Sequence, residues 1–108
     1  MPHYLWHGSY SAQTWAAMIK NPQSRHESVR AVIEGAGGKL EALYFAFGED
    51  DVFVLAEFPD NGSAAAASMA VTASGAMKSG SITVLMTAEE AVEAMKKAGG
   101  IAYRPPGA

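Results

Sequence analysis

Apolar residues recur along this chain at two different periods, and each change of period marks a new element. HYLWHGSY, residues 3–10, alternates: Tyr4, Trp6 and Tyr10 share one parity, and His3, Leu5 and His7 the other. A period of two predicts a strand. Spacing then becomes helical. Ser11 is positioned to cap a short helix with Trp15, Met18 and Ile19 on one side. Asn21-Pro22 interrupts it, because proline disfavours helical backbone in the residue before it. Ser24, followed three residues later by Glu27, reads as a capping box for a second helical piece. Val29, Val32 and Ile33 form its apolar stripe, and Gly37-Gly38 stops it.

KLEALYFAF (39–47) and DVFVLAEF (51–58) predict two strands joined by a short hairpin connection, with Gly48 free to take positive φ. Asp60 or Asn61 can cap an alanine-rich helix over about 62–76, whose small side chains allow close approach to a sheet. SITVLMT (81–87) predicts a fourth strand, and Thr87 with Glu90 a second capping box for a short helix presenting Ala91, Val92 and Met95. The order β-α-β-β-α-β, then α, is that of a ferredoxin-like α+β fold: a four-stranded antiparallel sheet with two main helices on one face. One domain over 1–98 and a C-terminal tail over 99–108 account for the chain.

The strands do not alternate as a sheet with one wet face should. Residues 52–56 read Val-Phe-Val-Leu-Ala and residues 82–86 Ile-Thr-Val-Leu-Met, so both faces call for cover. Two helices cover one. An uncovered face would exceed the few hundred Å2, roughly, of apolar patch that a soluble monomer tolerates. A second copy packed sheet to sheet, giving a homodimer or larger homo-oligomer, supplies the cover. The alternative is that the last helix and tail fold back over that face.

Composition narrows the classes. With 108 residues and 49% hydrophobic content the chain is one globular domain. Eight basic residues scattered in a chain of net charge -3 form no stripe for nucleic acid. The absence of cysteine excludes disulfides, thiolate metal sites and a cysteine nucleophile. MPHYLWHGSYS lacks the features of a signal peptide, and no apolar run reaches membrane-spanning length, so the expected compartment is the cytoplasm.

The stretch SRHESVRAVIEGAGGKLEALYFAFGEDDVFVLAEFPDNGSAAAASMAV resembles the GYD-domain family of the dimeric α+β barrel superfamily. Its most specific parts are the arginine-containing helix ending in Gly37-Gly38, the Tyr44 strand, the turn, and Glu57-Phe58-Pro59-Asp60. The family's Gly-Tyr-Asp signature falls at the turn, which here reads Gly48-Glu49-Asp50-Asp51; with Gly48 and Asp51 at the outer positions, Asp50 stands where tyrosine is usual. The resemblance implies the fold and a dimeric barrel. It also implies a ligand site in the cleft between the sheet and its two main helices, but no particular chemistry, since related barrels host many.

Glu57 is the sharpest single signal, a carboxylate in an apolar strand, costly to bury unless paired or protonated. One reading makes it a catalytic acid or base in the cleft, with a raised pKa if dry; the other makes it a strand-end residue reaching solvent before Pro59. His7, on a strand that neighbours the third in this fold, is the candidate partner across the ladder, giving an acid–base pair; the plainer reading is a hydrogen-bonded histidine. His3 shares its parity and keeps a weak metal reading alive, though the leading expectation is no metal and no cofactor. Asp50 and Asp51 are assigned to the turn. Tyr44, Trp15 and Tyr10 are candidate ligand-binding aromatics or core. Arg25 is a candidate anion contact, although it and Arg30 can simply pair with Glu27 or Glu34. An N-terminal Pro2 base of the tautomerase kind is disfavoured by Met1 ahead of it. The leading expectation is a small-molecule-binding protein, or a cofactor-independent enzyme performing proton transfer or oxygenation on a small apolar or aromatic metabolite. The alternative is a non-catalytic assembly subunit.

Overall fold

The structure, a computed structural model, describes residues 1–107. Eight elements follow in order: β1 (His3–Tyr10), α1 (Ala12–Lys20), α2 (His26–Gly35), β2 (Lys39–Phe45), β3 (Val52–Glu57), α3 (Asn61–Ala73), β4 (Met77–Leu85) and α4 (Ala88–Ala98). The strands form one antiparallel sheet in the order β2-β3-β1-β4, the ferredoxin-like arrangement. α2 packs on β2, α3 on β4, and the two helices touch each other over the same face. No helix among the described residues is long and apolar enough to cross a membrane.

Local chemistry fixes most boundaries. Ser11 caps α1 by accepting from the Thr14 amide, and Asn21 ends that helix ahead of Pro22. Thr87 and Glu90 form the reciprocal capping box that opens α4. Gly37, at φ 80, turns the chain out of α2 while the Gly38 amide bonds back to the Ile33 carbonyl. The expected box at Ser24 does not form. Arg25 already has helical backbone and is itself the N-cap, so the Ser24 hydroxyl accepts from the His26 amide instead. Glu27, released from that role, pairs with Arg30, whose guanidinium holds the carboxyl below its ordinary range.

β4 starts at Met77, four positions earlier than its apolar run suggests. Gly75, at φ 77, ends the preceding segment and lets the polar stretch Lys78-Ser79-Gly80 join the sheet edge against β1. In that pairing Gly8 faces Gly80, and a Cβ at Gly80 would lie 2.9 Å from the Trp6 ring. Two glycines thus leave the room that the indole occupies.

Asp60 opens α3 by accepting from the Ser63 amide at 2.8 Å, and the bonds from Ser63 hold its carboxyl below the ordinary value of 3.8. Because the folded-state pKa is depressed, the cap's contribution is present above the unfolded value and is lost as pH falls through the folded one. Asp60→Ala is therefore expected to lower the melting temperature at neutral pH, with the gap to the parent chain closing as both are acidified. A gap that persists unchanged to about pH 2 would contradict the charged cap.

Helix-facing strand positions build the core: Tyr4, Tyr10, Val52, Val54 and Ala56, joined by Phe58, Ile33, Ala64 and Ala67. The opposite face carries Leu5, Phe53, Leu55 and Leu85 among His3, His7, Glu41 and Glu57, by register. α4 does not fold back over it. That helix makes only marginal contact with the other elements, and it stretches the molecule to 58 Å. The radius of gyration is 17.4 Å, against about 13 Å for a compact chain of this length. Of the two covers the sequence allows for the open face, the chain's own C-terminal helix is the one the structure does not supply.

Candidate functional cleft

Between the sheet and helices α2 and α3 lies a cleft of about 290 Å3. Its floor is Tyr4, Trp6, Val54 and Ala56; one wall is Val29, Val32 and Ile33, and the other Ala64, Ala67 and Val71. The space exists because α3 presents methyl groups where longer side chains would fill the layer. Ala64 and Ala67 are buried yet reach little beyond their own backbone.

Polar groups in the cleft are few and mostly engaged. The Tyr4 hydroxyl donates to Asn61 Oδ1 at 2.6 Å, and the Trp6 indole N–H to Ser68 Oγ at 3.3 Å. Ser28, Ser68 and Ser74 dot the rim, and Arg25 stands there as the cation. Arg25 makes no ion pair among the described residues, whereas Arg30 is held by Glu27 and Glu34. No carboxylate or imidazole lines the cleft among the described residues.

The sequence-derived candidates divide between two faces. Tyr10 lines the cleft and Arg25 its rim. Trp15 lies just outside it, edge-on to Tyr10 at 5.5 Å, in a neighbouring open groove that Arg25 also borders. Glu57, His7 and Tyr44 do not enter the cleft. Cleft-facing positions of β3 are Val54 and Ala56, so Glu57, one residue on, points the other way. The pairing of Glu57 with His7 across the ladder is also not found. Register sets His3 opposite Glu57, and His7 opposite Phe53, on whose ring it stacks at 5.6 Å. His7 instead pairs with Asp50 at 2.7 Å.

The acidic turn does more than make a hairpin. Asp51 Oδ2 accepts from the Tyr10 amide and from the Trp15 indole N–H, each at 3.0 Å. The Asp51 amide donates to the Gly8 carbonyl, and Ser9, a buried polar side chain, donates to the Glu49 carbonyl. Together these bonds tie the turn to the end of β1 and the start of α1, where Tyr10 closes one end of the cleft. Spacing alone could not reveal this, because the partners lie about 40 residues away and meet only through the sheet order.

A family model described as GYD domain matches residues 4–95. Among solved structures, the fold is similar to that in "Crystal Structure of MtbAldR", with a TM-score of 0.52 and 15% identity. The match covers 80% of this chain and 52% of that one, so the chain spans about half the length of MtbAldR. At that identity the likeness is one of fold. No curated protein matches the chain.

Proposed function

The chain belongs to the GYD-domain family, and from that premise we propose that it binds a small apolar or aromatic carboxylate in its sheet-to-helix cleft, as a homo-oligomer with sheets packed face to face. The observation that carries the reading is the cleft itself, an apolar space with a cation at its rim, Arg25, that makes no ion pair among the described residues. Ligand sites combine apolar walls with a few polar groups in this way, and about 300 Å3 is the lower end of their usual volume. A ring or short branched chain lies against Trp6 and Val54, and its charged end reaches Arg25. Binding is favoured over proton transfer or oxygenation, because the residues best suited to move a proton, Glu57 and His7, belong to the opposite face. The homo-oligomer is supported by Leu5, Phe53, Leu55 and Leu85 on that face, and by the C-terminal helix leaving it uncovered.

Trp6 reports on the cleft from inside. Titration with benzoate and indole-3-acetate, with benzyl alcohol as uncharged counterpart, is expected to quench its fluorescence, the two acids binding more tightly. Ala67→Leu fills the space between α3 and the sheet and is expected to weaken binding about tenfold or more, with a melting temperature close to that of the parent chain. Arg25→Gln is expected to remove the preference for acids. Quenching that is unchanged in Ala67→Leu would mean that the ligand sits elsewhere. Native mass spectrometry of the same samples reads the oligomer, and a monomer would sink the sheet-to-sheet pairing.

A further inference from the structure

We propose that His3, Glu41 and Glu57 form a divalent-cation site on the open face of the sheet. The site is separate from the cleft and does not rest on the ligand reading, because the two lie on opposite faces. One donor atom from each of the three side chains falls within 4.8 Å of the others. They come from three strands. Glu57 ends the middle one, β3; His3 on β1 is its cross-strand partner on one side; and Glu41 on β2 approaches from the other. His3 Nδ1 and Glu41 Oε1 meet at 2.6 Å, with side chains 34% and 25% exposed.

Glu41 stands at a register shift. Leu40 pairs with Ala56 and Ala42 with Leu55, which leaves Glu41 as the extra residue of a β-bulge. Bulges re-aim side chains and recur next to functional sites. Alternation from Lys39, which pairs with Glu57, sets Glu41 on the face of Glu57, and the extra residue lets Ala42 pair with Leu55 on that face as well.

Electrostatics call for a positive charge among these groups. Two carboxylates meet one imidazole, and Glu57 makes no ion pair or side-chain hydrogen bond among the described residues. Lys39 is opposite Glu57 in the ladder but forms no ion pair with it. Leu5, Leu55 and Leu85 share this face by register, Leu85 beside His3 and the other two one same-face step along the strands, so apolar side chains adjoin the cluster. One nitrogen and two oxygen donors suit Zn2+, Mn2+ or Fe2+ better than Ca2+, which takes six to eight oxygens. Tetrahedral Zn2+ with bonds near 2.0 Å separates its ligand atoms by about 3.3 Å, so the three donors need only small rotamer adjustments. Three protein ligands leave a coordination position for water or for a group from another molecule.

The test is calorimetric titration of the chelator-treated full chain with ZnCl2. One Zn2+ per chain is expected, with a Kd in the range of about 10 µM or tighter, and Glu57→Gln, Glu41→Gln and His3→Ala should each weaken it about tenfold or more. His7→Ala, which removes the other histidine–carboxylate pair on this face, should leave the Zn2+ affinity within about twofold. Circular dichroism melts establish that each variant is folded; Glu41→Gln, at an exposed bulge, is the substitution least able to disturb the sheet. Absence of saturable binding would overturn the site, as would Zn2+ affinity unchanged in Glu57→Gln or abolished in His7→Ala.

Discussion

Asp51→Ala is expected to destabilise the domain by about 3 kcal/mol, because the side chain accepts two bonds whose donors have nowhere else to turn. One donor is the backbone amide of Tyr10, a residue only 7% exposed, and the other is the Trp15 indole, packed between Tyr10 and Phe45. Hydrogen bonds to an ionised acceptor are stronger than neutral ones, and removing the acceptor leaves both donors desolvated. For a chain of this size the loss corresponds to a fall in melting temperature of about 15 °C. Asp51→Asn keeps one acceptor oxygen in place and should lose roughly half as much. Urea unfolding followed by tryptophan fluorescence measures both, since Trp15 is itself one of the freed donors. A loss below about 1 kcal/mol for Asp51→Ala would mean that the hairpin holds its own shape, and that its bonds to β1 and α1 are incidental.

That turn marks the division between what the sequence makes legible and what it does not. Caps at Ser11, Asp60 and Thr87 are readable because donor and acceptor lie within three residues of each other. The hairpin, the Gly37 stop and the order of elements are readable for the same reason, and the order restricts the topology to a ferredoxin-like sheet. Asp51 is not readable, since its partners arrive only when β1 lies beside β3. The same holds for Glu57. Its strangeness in an apolar strand is visible, but its neighbours His3 and Glu41 lie on β1 and β2 and arrive only when those strands flank β3. The cleft is legible only through the family resemblance, since the alanine-rich helix by itself does not decide it. Methyl groups permit a helix either to close onto the sheet or to stand off from it, and Ala64 and Ala67 turn out to border a space. Edge strand β4 is misread at its start because Lys78-Ser79-Gly80 lacks apolar signal, while its pairing with β1 is made by the backbone.

Gly38→Ala is expected to cost at least as much as losing Asp51, about 3 kcal/mol or more, through overlap rather than lost bonds. A Cβ at this position would lie 2.4 Å from the Glu57 carbonyl oxygen, 2.8 Å from Phe58 Cδ1 and 3.0 Å from Ile33 Cγ2. Neither the carbonyl nor the Phe58 ring has room to yield. The carbonyl belongs to the end of β3, and Phe58 is buried edge-on against Tyr4 at 5.6 Å. Gly35 and Gly48 are the controls, because a Cβ at either meets nothing within 4 Å among the described residues. Gly35→Ala, at the last position of α2, should stabilise by about 0.5 kcal/mol through helix propensity. The steric cost at Gly38 also has a direction. Relief requires β2 to move away from the end of β3, the two strands that carry Glu41 and Glu57, while Phe58 presses on the Tyr4 floor of the cleft. Gly38→Ala should therefore weaken Zn2+ binding and ligand binding together, although it touches neither set of groups, whereas Glu57→Gln weakens only the first. A Gly38→Ala chain that melts within about 2 °C of the parent would show that β2 and β3 can separate at this end at little cost. The close approach would then not be what holds the two faces in register.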